Sequence, residues 1–553
     1  MRESRGRDRV EGAGDIGLRG RDMSNKKYEF RIIKFIISFM LIIQASCVAG
    51  DQGGESGTVD NHPAPGSDAL NLDTHVELPE LYRVEDINAD PNIIEFNLEA
   101  SVGDFEFING KPSMVYMYNN QFPGPVIEGQ VGDTVIIHFT NSLPEPTTIH
   151  WHGLVLPSAM DGTEVVQNPV KPGGTFDYLF KLLNTGLYWY HPHVNSSVQL
   201  TMGLYAPIII RDENEPEFDR ERILVLSDAL IDEDGRLVPP SEVTDPQTLM
   251  TGYRGNRLLV NGALEPWIQM REGTRERWRV LNAANSRFFR LSLPGYKLIL
   301  IGTDGGLIER PRELEEILLT PGERVDLIVE AAGEPSGQFA LMNLPYERGH
   351  NTGAEPETPL LNIQYVGGAA VDAGPVPDKL ADIEELPEPV RAREFRLSES
   401  MGGEGEQGSM GAMEMGHEMG SHNMDMDMEM DEPSDEENGE TMSVMAPEFY
   451  INGESWPDIP EFDVQFGETE IWEFINLSEM DHPMHVHGVR FQILTRNGQP
   501  EPYRAWKDTF NVRANETVRI KVRFDGYPGG WMYHCHILPH AEQGMMAVFT
   551  LKE

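Results

Sequence analysis

Cysteine is nearly missing from this chain: two residues, Cys47 and Cys535, among 553. A fold stapled by several disulfides is thereby excluded, and the surroundings of Cys535 commit it elsewhere, so no structural disulfide is expected. Positive charge is scarce too. There are 44 Lys and Arg against 90 Asp and Glu, a net charge of −46. That balance excludes nucleic acid as a partner and suits a cationic substrate or a metal ion, with plain solubility as the bland alternative. Part of the excess is local, between Glu404 and Glu440. The apolar run from Phe35 to Ile43 is too short for a comfortable membrane span.

What the chain does have is histidine in pairs. The last thirty residues hold His534-Cys535-His536, then His540 and Met545. In an extended strand, side chains alternate between faces. His534 and His536 would point one way and Cys535 the other, which lets one strand serve two metal centres. Two imidazoles, a thiolate and a weak thioether are the ligand list of a blue-copper electron-transfer site. Three more His-x-His pairs occur: His150/His152, His191/His193 and His485/His487. The four pairs supply eight imidazoles, enough for three coppers with open positions left for oxygen species. His482 remains to complete the set of Cys535, His540 and Met545. A lone histidine is usually a hydrogen-bonded structural residue; four pairs with a Cys/His/Met tail are not explained that way.

An internal repeat sets the architecture. Gly132–Asn141, Gly273–Asn282 and Gly467–Asn476 share one pattern, with Gly and Asn nine apart. Each follows an Asn-Gly turn, at Asn109-Gly110, Asn261-Gly262 and Asn452-Gly453. Short alternating strands such as Val135–Phe139 and Val518–Val522 predict β-sandwiches. Nine and eleven residues after Asn141 come His150 and His152; the same offsets from Asn476 give His485 and His487. From Asn282 they give Leu291 and Leu293, so the middle repeat is expected to be a spacer without ligands. The metal cluster should then lie between the first and last repeats, coupling assembly to metal binding.

These motifs resemble the four copper motifs of the multicopper oxidases, the family of laccases, bilirubin oxidases and bacterial cuprous oxidases. The resemblance runs from about Tyr82 onward and implies an all-β fold of three tandem cupredoxin-like Greek-key β-sandwich domains. Their expected bounds are 82–213, 214–392 and 393–553, after a targeting segment 1–47 and a linker 48–81. It implies four coppers per chain. His150 and His485 would hold type 2 copper; His152, His191, His193, His487, His534 and His536 the type 3 pair; His482, Cys535, His540 and axial Met545 type 1. Asp161, in Met-Asp-Gly, takes the place of a family proton donor, or is only a turn residue; Glu542 is a second candidate acid.

The stretch 401–445 holds eleven of the 26 methionines, Met413, Met415, Met419 and Met424 among them, interspersed with Asp and Glu. It lacks hydrophobic periodicity and reads as loosely ordered. Thioethers are soft ligands that select Cu(I), and such inserts resemble those of bacterial cuprous oxidases. Met480 matches a substrate-copper methionine of those enzymes. Ser478 stands where they have Asp, leaving Glu479 or Asp481 as substitutes. The expected reaction is oxidation of Cu(I) to Cu(II) in copper tolerance, coupled to four-electron reduction of O₂ to water. The alternatives are a laccase-like oxidase of phenols or bilirubin, a Mn(II) oxidase, and, outside enzymes, an exported copper-storage protein. Lys26, Lys27, Arg31 and Lys34 ahead of the apolar run suit an export signal. The expected product is a monomer in a bacterial periplasm, or a lipoprotein of the outer membrane anchored through Cys47.

Overall fold

The three repeated Gly-to-Asn segments become the central strands of three two-sheet sandwiches. Thr134–Asn141, Arg275–Asn282 and Thr469–Asn476 each pair in parallel with an earlier strand of their own domain: Ile93–Ile108, Arg220–Ala229 and Arg391–Met401. On its other side each pairs antiparallel with a following strand, Thr175–Lys181, Arg324–Glu330 or Thr517–Arg523. In Thr134–Asn141 every second residue is buried, the period-two signature of a strand with one face on a core. The computed structural model describes residues 76–213, 215–331, 338–350, 353–367, 375–401 and 447–553.

The first sandwich joins two four-stranded sheets, the second a seven- and a five-stranded sheet, and the third a six- and a five-stranded sheet. The expected all-β, three-sandwich fold is what is found. The Asn-Gly pairs close two-residue hairpins: Ile108 faces Lys111, Val260 faces Ala263 and Ile451 faces Glu454. At two of them both residues have positive φ, 52° and 81° at Asn261-Gly262 and 58° and 81° at Asn452-Gly453, the backbone that makes Asn-Gly a hairpin turn.

The Asn that ends each repeat has a structural task. Asn141, Asn282 and Asn476 are buried and tie down the loop that leaves the strand. Each Nδ2 donates to carbonyls of two separate segments of its own domain: Glu145 and Val170, Arg287 and Leu319, Met480 and Val512. Each Oδ1 accepts from the backbone N–H two residues on. In the outer domains that loop leads into a histidine strand. In the middle domain the same place is filled by Leu291 and Leu293, both in the core. The last residues of the expected 48–81 linker run beside the middle domain, where Leu78 N–H donates to the Trp267 carbonyl at 2.9 Å.

Candidate metal centre

Two sheets bring the histidines together. In the first domain His150–His152 pairs with Gly186–His191, setting His150 opposite His191. In the third, His482–Val486 lies against Gly529–Cys535, with His485 opposite His534 and Met484 opposite Cys535. His482 and His485 stand three apart on one strand and so face opposite sides. Both central strands of this sheet therefore contribute to two separate clusters.

The smaller cluster is His482, Cys535 and His540, all buried. Cys535 Sγ lies 3.6 Å from His482 Nδ1 and 3.8 Å from His540 Nδ1, and the two Nδ1 atoms are 3.3 Å apart. Metal–nitrogen bonds of about 2 Å and metal–sulfur bonds of about 2.3 Å in a trigonal plane require separations of roughly 3.5 Å between nitrogens and roughly 3.8 Å from nitrogen to sulfur. The donors match that requirement. Met545 is buried beside them, its carbonyl accepting from Cys535 N–H at 3.0 Å. Burial pushes the Cys535 thiol up, so the proton leaves only when a metal takes its place.

The larger cluster gathers His150, His152, His191, His193, His485, His487, His534 and His536, four from each outer domain. His193, His487 and His534 converge, with Nε2 atoms 3.0 and 3.4 Å apart. The buried Nε2 atoms of His150, His191 and His485, Nδ1 of His152 and both nitrogens of His536 have no hydrogen-bond partner. Each such orphan costs about 1–3 kcal/mol unless something binds it. Burial, with repulsion among the imidazoles, holds His152, His191, His193, His485, His487 and His536 neutral and pushes His534 down to about 4; in the smaller cluster burial pushes His482 down to about 3. A neutral ring offers a lone pair, as copper ligation demands.

Most of the outward nitrogens are held, that of His536 excepted. Nδ1 of His150, His191, His485 and His534 each lies 2.9 Å from a carbonyl, of Asp161, Pro192, Asp508 and Cys535 respectively. His487 Nδ1 lies 3.0 Å from Asp161 Oδ2 and His540 Nε2 is 3.0 Å from the Met250 carbonyl. Such outer partners fix ring orientation and tautomer. Asp161 is more than a turn residue: its Oδ1 is 3.3 Å from His150 and its Oδ2 contacts His487 across the domain boundary. Glu542 is placed differently. It is an exposed residue whose carboxylate accepts from Ser197 N–H at 3.0 Å, at the start of helix Ser196–Thr201, and no imidazole is among its hydrogen-bond partners.

Around His482, neither Glu479 nor Asp481 takes the place foreseen for it. Glu479 is 80% exposed. Asp481 accepts from Tyr346, Asn511 and Ala514, and so fastens a loop of the middle domain. Ser478 Oγ holds His482 Nε2 at 2.9 Å. The carboxylate that does approach is Glu399, with Oε2 3.8 Å from His482 Nε2 and Oε1 2.5 Å from His350. Sequence reasoning gave His350 and Glu399 no role; only the nearness of Glu399 to the methionine-rich stretch could have drawn notice. Met480 is fully buried under Gly349. Met413, Met415, Met419 and Met424, like Cys47, lie outside the described residues.

Comparison with known proteins agrees with this geometry. Multicopper oxidase family profiles match residues 99–215, 228–367 and 424–553. The multicopper oxidase MmcO of Mycobacterium tuberculosis is 31% identical over 77% of this chain and 81% of its own length. A Bacillus subtilis laccase is 28% identical over 79% of the chain and 90% of its length. Among solved structures, a multicopper oxidase from Campylobacter jejuni, described as a metallo-oxidase, superposes with a TM-score of 0.73 at 32% identity, covering 87% of this chain and 96% of that one.

Proposed function

The chain belongs to the multicopper oxidase family, and on that footing we propose that it is a cuprous oxidase, exported to the periplasm or tethered through Cys47. Cys535 with His482, His540 and Met545 would hold one copper and the eight paired histidines three more; when bound, copper would take electrons singly from four donor molecules and pass them to O₂, giving two waters. The protein's own residues do the rest. Cys535 is covalently continuous with His534 and His536, which makes the strand a short through-bond link between the clusters. Ser478 and Glu399 flank His482 on the side where His350 reaches solvent, the natural entry for an electron donor. Asp161, hydrogen-bonded to His150 and His487, is placed to hold a proton beside the larger cluster.

One observation carries the choice of Cu(I). The methionine-rich stretch leaves strand Arg391–Met401 and returns in Pro447–Ile451, which pair with each other. The first strand carries Glu399 next to His482. The second carries Phe449, stacked on His540 with ring centroids 3.9 Å apart. Both flanking strands thus lie beside the Cys535 site, and thioethers are soft ligands that suit Cu(I). The metallo-oxidase description of the Campylobacter protein supports the same reading.

The test is O₂ uptake with Cu(I), a phenol, bilirubin and Mn(II) side by side, for the parent, a 401–445 deletion and Glu399→Gln. Cu(I) turnover should fall at least tenfold in the deletion and drop in Glu399→Gln, while phenol oxidation stays level or rises. Unchanged Cu(I) kinetics in the deletion would refute the assignment in favour of a laccase-like oxidase, and no O₂ uptake with any donor would favour storage.

A further inference from the structure

His152 is turned around relative to its neighbours. His150, His191, His485, His487 and His534 tie up Nδ1 and leave Nε2 for the cluster. His152 instead has Nε2 held, 3.1 Å from Asp508 Oδ1 and 3.0 Å from Thr509 Oγ1, while its buried Nδ1 has no partner. Turning the ring over about Cβ–Cγ would exchange Nδ1 with Cδ2 and Nε2 with Cε1 at almost the same outline, so a fixed acceptor at Nε2 both keeps Nδ1 facing inward and puts the ring proton on Nε2.

That acceptor, Asp508 of the third domain, is held in place by the domain that supplies no ligand. We propose that Arg324 of the middle domain, by clamping Asp508, selects the metal-facing nitrogen of His152 and so acts as a positioning residue for the trinuclear site. Arg324 is fully buried, and its guanidinium uses all five N–H donors. Two form a fork on the Asp508 carboxylate, at 2.7 and 2.6 Å. The others go to the carbonyls of Leu187 in the first domain and Gly322 and Asp304 in the second. One side chain thus joins all three domains behind the cluster.

The segment it grips is held along its length. Asp304 and Glu323 receive Lys507 at 3.0 and 3.1 Å. Asp304 Oδ2 also accepts from the backbone N–H groups of Asp508 and Thr509. Thr509 Oγ1 donates to Asp508 Oδ1, leaving its lone pairs for His152 Nε2–H. The space for the clamp is kept by two glycines. A Cβ on Gly153, directly after His152, would fall 2.3 Å from Asp508 Oδ2 and 2.7 Å from Arg324 Nη2. At Gly322 it would sit 3.0 Å from His536 and 3.1 Å from His152. Both glycines also have positive φ, 86° and 85°, which disfavours any other residue.

The inference rests on the ligand assignment and not on which donor is oxidised. Arg324→Lys keeps the charge but cannot form the fork; Thr509→Val keeps the shape and removes only the hydroxyl. Each full-length variant is loaded with copper and followed by copper content, chelator competition, the blue absorption of the Cys535 site and the EPR of the trinuclear coppers. Loss of an outer-shell partner weakens metal binding about 10–100-fold. The expected result is a weakening of that order at the trinuclear site and an altered trinuclear EPR signal, with the blue absorption kept. Should Arg324→Lys not fold, Thr509→Val decides. Variants that hold trinuclear copper as tightly as the parent, with the same EPR, overturn the clamp. Parallel loss of the blue site overturns it too, because that outcome marks a general structural role. A parent that itself binds no trinuclear copper overturns the ligand assignment instead.

Discussion

Asp161 shows how much one side chain can carry. Its two carboxylate oxygens reach His150 of its own domain and His487 of the third. Asp161→Asn keeps the shape but lowers basicity, so O₂ reduction should slow by about 10²–10⁴-fold, the usual worth of a positioned acid or base. Reduction of the Cys535 site by donor should stay fast. Stopped-flow reoxidation checks both, and normal reoxidation would remove Asp161 from the mechanism. The Met-Asp-Gly context made this residue visible in advance, and the histidine ligands were legible as pairs. Glu399, His350, Asp508 and Arg324 were not. Their importance comes from strand register and domain docking: Thr509 lies opposite His485, and Arg324 meets Asp508 across 184 residues of chain. No local spacing encodes such neighbours.

A strand and its loop are the next unit of meaning. The repeated Asn was legible as a repeat, but its task became clear only from its bonds to carbonyls of two segments distant in sequence. Asn282→Ala would leave two buried carbonyls and one N–H without partners. At about 1–3 kcal/mol per orphaned group, the middle domain should lose on the order of 3 kcal/mol or more. Denaturant unfolding followed by tryptophan fluorescence, with blue absorption read in parallel, measures this. Equal midpoints for parent and variant would show the repeat to be incidental. The alternation of Thr134–Asn141 and the Asn-Gly hairpins were readable because both depend on neighbours close in sequence. Parallel pairing between strands forty residues apart does not, and it remained invisible.

Across the three sandwiches, the larger cluster is owned by two domains at once. A ligand at 1,000 times its Kd adds about 4 kcal/mol to the state that binds it. Stripping copper with a chelator should therefore lower the thermal midpoint by on the order of 10 °C. Calorimetry of loaded and stripped protein checks this, and identical midpoints would argue against ligands shared between domains. The three-sandwich plan and the vacancy of the middle domain were both legible, through Leu291 and Leu293. That the vacant domain braces the cluster from behind was not, because nothing in a leucine points to Arg324.

The wide separation of the ligands also sets a clock. His150 and His540 stand about 400 residues apart, and at roughly 5–20 residues per second a ribosome needs about 20–80 s to get from one to the other. Throughout that interval the first four imidazoles exist without their partners, a half-made trap open to any passing zinc ion. Correct metal can enter only after translation has delivered the second half, so loading must follow synthesis and cannot accompany it.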